Sequence, residues 1–150
     1  GNIYLGGTGS ANALDDYEFA NYIPSFTGSS SGSFSLNGLY DSLTYTKIGR
    51  LVHVQGRIRQ VSGSISGTLQ ISLPFTSASL NDEADFVTGS ILCRNVDFPT
   101  NTISTGIYIP SNSTVANIYA VIDNATWYSI GDSEVASNAM WMFGFSYVAS

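Results

Sequence analysis

The residues best equipped for chemistry lie in one short stretch, Asp123-Asn124-Ala125-Thr126-Trp127-Tyr128. Aromatic rings stack on the apolar faces of sugars, while carboxylate, amide and hydroxyl side chains bond to sugar hydroxyls. A loop that carries Trp127 and Tyr128 beside Asp123 and Asn124 combines both kinds of group. Tyr108, opposite in direction to Ile107 and Ile109, is a further ring of this kind. A structural reading competes. If residues 126–130 form a strand, adjacent side chains face opposite ways, and one of Trp127 and Tyr128 belongs to the core.

Three other groups have chemistry to offer. Asp82, Glu83 and Asp85 form the one acidic cluster. With loop carbonyls they can hold Ca²⁺; a solvated loop is the simpler reading. Two carboxylates at a set separation are also what glycoside hydrolysis needs, but no rings flank these three. His53, Gln55, Arg57 and Arg59 alternate along one strand. They form either a polar face, solvated or set between subunits against the acidic loop of a neighbouring copy, or a binding strip for anionic glycans. Cys93 sits in the apolar run Ile91-Leu92-Cys93 and reads as a small core residue. With one His and one Cys in the chain, a His-rich metal site is out of reach. His53 lies on a polar face and Cys93 in a core strand, so they do not make a nucleophile pair. No nucleophile elbow surrounds any serine. The residues therefore supply no catalytic set and no cofactor site other than the Ca²⁺ candidate.

These groups need a scaffold, and the composition describes it. Hydrophobic residues make up 43% of the 150, aromatics 13% and charged residues only 11%, against a usual charged share of about 25%. Ser, Thr, Asn and Gly take the place of the missing charges, which suits short strands and many turns. The length fits one domain. The net charge of −6 argues against nucleic acid as a partner. No apolar run reaches the ~18–20 residues of a membrane span, so membrane insertion is not expected. Low charge also fits a subunit that hides surface in an oligomer.

The clearest element is the stretch 51–59. Val52, Val54 and Ile58 point one way and His53, Gln55, Arg57 and Arg59 the other, a period of two that marks a half-buried strand. Further strands are expected at 34–40, 43–48, 68–73, 86–96, 105–109, 114–122, 126–130 and 140–148. Residues 23–27 read as an edge strand because of Pro24. Residues 14–19 suggest a helical turn, 28–33 a loop, 63–67 a turn, and 132–138 a short helix. Residues 1–13 are rich in Gly and Asn and read as a connector. Trp141, Phe143, Phe145 and Tyr147 share one face of the closing strand. The sum is an all-β fold: an antiparallel β-sandwich of jelly-roll type over residues 14–150.

Several blocks resemble the C-terminal head domain of bacteriophage tail fibre and related virion proteins. They are Leu14-Asp-Asp-Tyr-Glu18 leading to Pro24, Tyr45-Thr-Lys-Ile-Gly-Arg50 with Val54-Gln-Gly-Arg57, Ile71-Ser-Leu-Pro-Phe-Thr76, and the closing Phe143-Gly-Phe-Ser-Tyr147. Tyr4-Leu-Gly-Gly-Thr-Gly9 resembles the shaft segments that precede such heads. The departure is Glu18-Phe-Ala-Asn-Tyr-Ile-Pro24, where Tyr22 replaces the family's Trp. The resemblance implies a homotrimeric virion fibre that acts outside the host cell. Its shaft would join other virion proteins, and its head would attach, without catalysis, to polysaccharide or lipopolysaccharide on the bacterial surface. A trimerisation, capping or capsid-decoration role without a ligand is the alternative, and a polysaccharide-cleaving enzyme a third. The family carries no agreed ligand residues to transfer.

Overall fold

The computed structural model describes residues 3–4, 13–14, 17–79 and 86–150, the two pairs near the start through their backbone alone. The strands are β1 (Ile3–Tyr4), β2 (Ala13–Leu14), β3 (Tyr17–Tyr22), β4 (Phe26–Gly28), β5 (Ser31–Leu36), β6 (Leu43–Ile48), β7 (Leu51–Ser66), β8 (Leu69–Ser72), β9 (Val87–Val96), β10 (Thr102–Ile109), β11 (Val115–Ile122), β12 (Tyr128–Ser129) and β13 (Val135–Val148). All pairings are antiparallel. The fold is an all-β sandwich, as the alternation predicts.

Hydrogen bonding runs β13-β9-β10-β11-β8-β4-β5-β7 and returns from β7 to β13, so the path closes on itself. β6 and β3 extend from β7, and β12 is added to β11. Closure removes the exposed edges that these strands would otherwise present. The long strand β7 makes it possible. Its first part lies between β6 and β13, while its second part pairs with β5.

The core lies inside this closed path. Val52, Val54 and Ile58 of β7 are fully buried and face Trp141, Phe143, Phe145 and Tyr147 of β13. The ring of Phe26 on β4 meets Trp141 edge-on at 5.6 Å, joining the two layers. The aromatic face of β13 is thus satisfied within one chain and leaves no ring of that face for a subunit contact.

Tyr22, Tyr45, Phe75 and Tyr147 meet in one corner. Tyr45 stands edge-on to Phe75 at 5.1 Å and to Tyr22 at 6.2 Å. The Tyr147 hydroxyl donates to the Phe75 carbonyl at 2.8 Å, and the Phe75 N–H donates back to the Tyr147 oxygen at 3.1 Å. Tyr22 donates to the Ser72 carbonyl at 3.3 Å. Burial drives the Tyr22 and Tyr147 phenols well above their ordinary pKa. Gly49 takes the left-handed conformation, φ +58°, in the tight β6–β7 turn, where a side chain would be strained.

Several expectations are corrected. Residues 63–67 are not a turn: β7 runs on to Ser66. Gly63 is there because β5 crosses it closely, and an added Cβ would lie 2.3 Å from the Ser33 carbonyl oxygen. Residues 23–27 are not an edge strand. The chain breaks at Pro24, and β4 pairs with β5 on one side and β8 on the other. In the stretch 14–19 the expected helical turn gives way to strand β3 from Tyr17. Strand β5 begins inside the expected 28–33 loop. The helix expected at 132–138 is a single 3-10 turn, Asp132–Glu134, followed at once by β13. The connector 1–13 and the candidate Ca²⁺ residues Asp82, Glu83 and Asp85 fall almost wholly or wholly outside the described residues.

Candidate functional site

Strands β9, β10 and β11 present a shared outer face. Ile107 and Ile109 point inward, so Gly106 and Tyr108 point out. Ile118 and Ala120 point inward, so Tyr119 points out. The register sets Gly106 directly opposite Tyr119 on one side and Ser90 on the other, and sets Tyr108 opposite Thr88. Without a side chain at Gly106, the surface between these rings is sunken.

Trp127 is brought over this hollow by a reversal of the chain. After β11 the backbone turns at Asp123 and Asn124. Asn124 takes the left-handed conformation, φ 55°, which asparagine tolerates better than most residues. The Asp123 N–H donates to the Asn101 carbonyl at 3.0 Å and anchors the turn. β12 then pairs back on β11, Ala120 opposite Tyr128. Trp127 therefore folds over the outer face, its ring 5.9 Å from Tyr108 and 5.8 Å from Tyr119. Phe86 continues the run, 5.5 Å from Tyr108.

The result is a cleft of about 280 Å³ lined by Thr88, Thr105, Gly106, Tyr108, Tyr119 and Trp127 among others. A shallower hollow on the far side of Trp127 is lined by Tyr119, Ala125, Thr126 and the indole itself. Trp127 stands as a fin between the two and is 59% exposed. An indole left in water at that level loses the stabilisation of burial, and an exposed ring cluster is a common sign of a contact surface.

The segment behind the fin is locked by Glu134. This carboxylate is buried at 8% exposure. It accepts from the Gly131 N–H at 2.8 Å, the Ser133 hydroxyl at 2.6 Å and the Tyr128 hydroxyl at 3.1 Å. Burial alone raises its pKa, but these hydrogen bonds together outweigh burial and hold it below its ordinary value. The hydrogen bond to Glu134 in turn raises the Tyr128 pKa. Asp132 fixes the turn from the other side, accepting from the Ile65 N–H at 2.9 Å.

Of the residues singled out from sequence, Trp127 and Tyr108 come together. Tyr128 turns away and serves Glu134. Asp123 and Asn124 are exposed at the turn and do not line the cleft. Trp127 and Tyr128 are both exposed, because Trp127 precedes the strand and the alternation does not bind it. Tyr119, Phe86 and Gly106 were not picked out. The parity of Tyr119 against Ile118 and Ala120 is the signal that could have found it.

The strip on β7 is outward-facing as expected. His53 Nδ1 and Ser146 Oγ share a hydrogen bond of 2.9 Å, the Arg57 guanidinium lies 4.4 Å over the Tyr40 ring, and Arg59 donates to Asn138 Oδ1 at 2.7 Å. The same outer face carries Leu92, Met140 and Met142 beside Arg57 and Arg94. Cys93 is half-buried, and burial pushes its thiol up to about 12.

The fold matches part of a phage tailspike. The crystal structure of the Dettilon tailspike protein superposes with a TM-score of 0.65 at 14% sequence identity, over 88% of this chain and 24% of that one. At that identity the likeness is one of fold, and this chain spans about a quarter of the tailspike's length. No family model matches the chain, and no curated protein does.

Proposed function

We propose that this chain is the head domain of a phage tail fibre and attaches the virion, without catalysis, to polysaccharide or lipopolysaccharide on the bacterial surface. The observation that carries the reading is the run of rings Phe86, Tyr108, Trp127 and Tyr119 over an open cleft. Rings and the outward Thr88 hydroxyl suit binding of sugars. Glycoside hydrolysis takes two carboxylates, and none lines the cleft among the described residues. The likeness in fold to part of a tailspike supports the virion setting.

A homotrimer belongs to this reading. The outer face of β3, β6, β7, β13 and β9 leaves Phe19, Ile48 and Leu51 exposed at one end and Leu92 and Met142 at the other. Such a face is one that a second copy could cover, and a fibre axis favours cyclic packing. The basic strip His53, Gln55, Arg57, Arg59 lies between the two ends and would fall within that contact.

The same exposed face favours a second reading, a trimerisation or capping domain with no ligand. Fluorescently labelled domain mixed with candidate host cells separates the two. Attachment requires cell-bound label that unlabelled domain displaces; a trimer that labels no strain that the parent phage infects leaves the capping role. Light scattering should return three times the 16.0 kDa of one chain, and a monomer mass would count against the trimer.

A further inference from the structure

We infer that the cleft takes an uncharged saccharide chain, and that Gly106 is the residue that decides which chains enter. The inference rests on the reading that the domain binds surface glycan.

Gly106 lacks both of the usual structural reasons for glycine inside a strand. It does not need the left-handed region of backbone space. Nor does packing exclude a side chain: an added Cβ would meet only the Gly89 carbonyl oxygen, at 3.5 Å, an ordinary contact. Gly89, across the pairing and facing inward, is the contrast. A Cβ there would lie 2.4 Å from the Phe145 Cβ, so the core itself demands glycine. A strand-interior glycine costs stability relative to a residue with a side chain. Gly144 in β13 is equally unconstrained; what sets Gly106 apart is its place on the floor of the ring-lined cleft, where close approach of a ligand is a recognised use of glycine. Any side chain at 106 would rise between Tyr108 and Tyr119 and fill the floor of the cleft.

The chemistry of the walls names the ligand class. Rings, Thr88 and Val121 form the outward walls of the cleft, with no cationic side chain among its described lining residues; Thr105 turns inward and donates its hydroxyl to the Ile91 carbonyl. Arg57 and Arg94 lie instead on the outer face beside Leu92 and Met142. A carboxylated or phosphorylated sugar would be desolvated here without a partner, and the net charge of −6 would oppose its approach. The size limits the ligand further. A cleft of about 280 Å³ lies at the small end of ligand sites, while the rings continue on both sides of Trp127. That arrangement engages an extended chain unit by unit.

The test uses the whole domain on cells that it labels. Polysaccharide extracted from those cells is split by anion exchange into neutral and acidic fractions, and each competes with labelled domain. The neutral fraction should displace the label and quench indole fluorescence, since Trp127 is exposed and Trp141 is fully buried. Gly106→Val should keep the melting temperature and lose cell labelling at least tenfold. Gly106→Ala, a smaller intrusion, should give an intermediate loss and guards against a valine variant that misfolds. Cells labelled equally by wild type and both variants, or displacement by the acidic fraction alone, would overturn the inference and leave attachment standing. Absence of label on every strain would instead remove the attachment reading, and this inference with it.

Discussion

Trp127 and Tyr128 are neighbours in sequence with separate duties: the Trp127 ring leans on Tyr108 at 5.9 Å, while the Tyr128 hydroxyl donates to Glu134 at 3.1 Å. One side chain faces the cleft and the other fastens the segment that carries it. Tyr128→Phe should therefore leave glycan binding unchanged. It should lower stability slightly, through loss of one solvent-screened hydrogen bond, as read from denaturant unfolding.

The Glu134 lock makes stability depend on acid. Its folded pKa lies below the ordinary 4.5, so its contribution is present above that value and is lost as pH falls through the lower, folded one. Wild type should lose stability below about pH 4.5, over a range that Glu134→Gln does not share. Glu134→Ala strands the Gly131 N–H and should cost about 1–3 kcal/mol at neutral pH. Parallel unfolding curves for wild type and Glu134→Gln from pH 7 to pH 3 would count against the lock.

Gly89 and Gly106 should respond in opposite ways to the same change. Gly89→Ala drives a methyl group into Phe145 and should destabilise by about 1–3 kcal/mol, the usual cost of overpacking. Gly106→Ala should be neutral or mildly stabilising, since a strand glycine carries an entropic penalty. Paired thermal melts compare them directly.

Cys93 should be inert. Its thiol, pushed up to about 12 by burial and only partly relieved by a hydrogen bond with Thr105, holds almost no thiolate at pH 8. A thiol reagent at that pH should react slowly with the native protein and quickly after unfolding. Fast native labelling would mean that the strand opens.

The strands were legible where one face is wet and the other dry. The stretch 51–59 is the clearest case, because Val52, Val54 and Ile58 alternate with polar neighbours. The bounds of β6 are also those expected from sequence. Reading failed where glycine served long-range contact. Gly63 looks like a turn former locally, yet its role is the passage of β5, which no local pattern records. The helix expected after Ser129 failed because Glu134 is drawn inward by three hydrogen bonds. The site was half legible. A loop-borne Trp127 is visible in sequence, whereas its meeting with Tyr108 and Tyr119 depends on the left-handed turn at Asn124 and on cross-strand register. Asp123 and Asn124 have the chemistry of sugar ligands, but the turn leaves them exposed and outside the cleft lining.

The central claim is that the rings over the β9–β10–β11 face hold the host glycan. It is tested most directly by adsorption isotherms of the domain on host cells, comparing wild type with Trp127→Ala and the Trp127→Ala/Tyr108→Ala double variant. An aromatic contact is worth on the order of 1 kcal/mol or more. Trp127→Ala should thus weaken binding about fivefold or more and the double variant further. Melting temperature and oligomer mass should stay unchanged, because the rings stand outside the core. Folded variants that adsorb as tightly as wild type would contradict the account and move the search to the basic strip from His53 to Arg59.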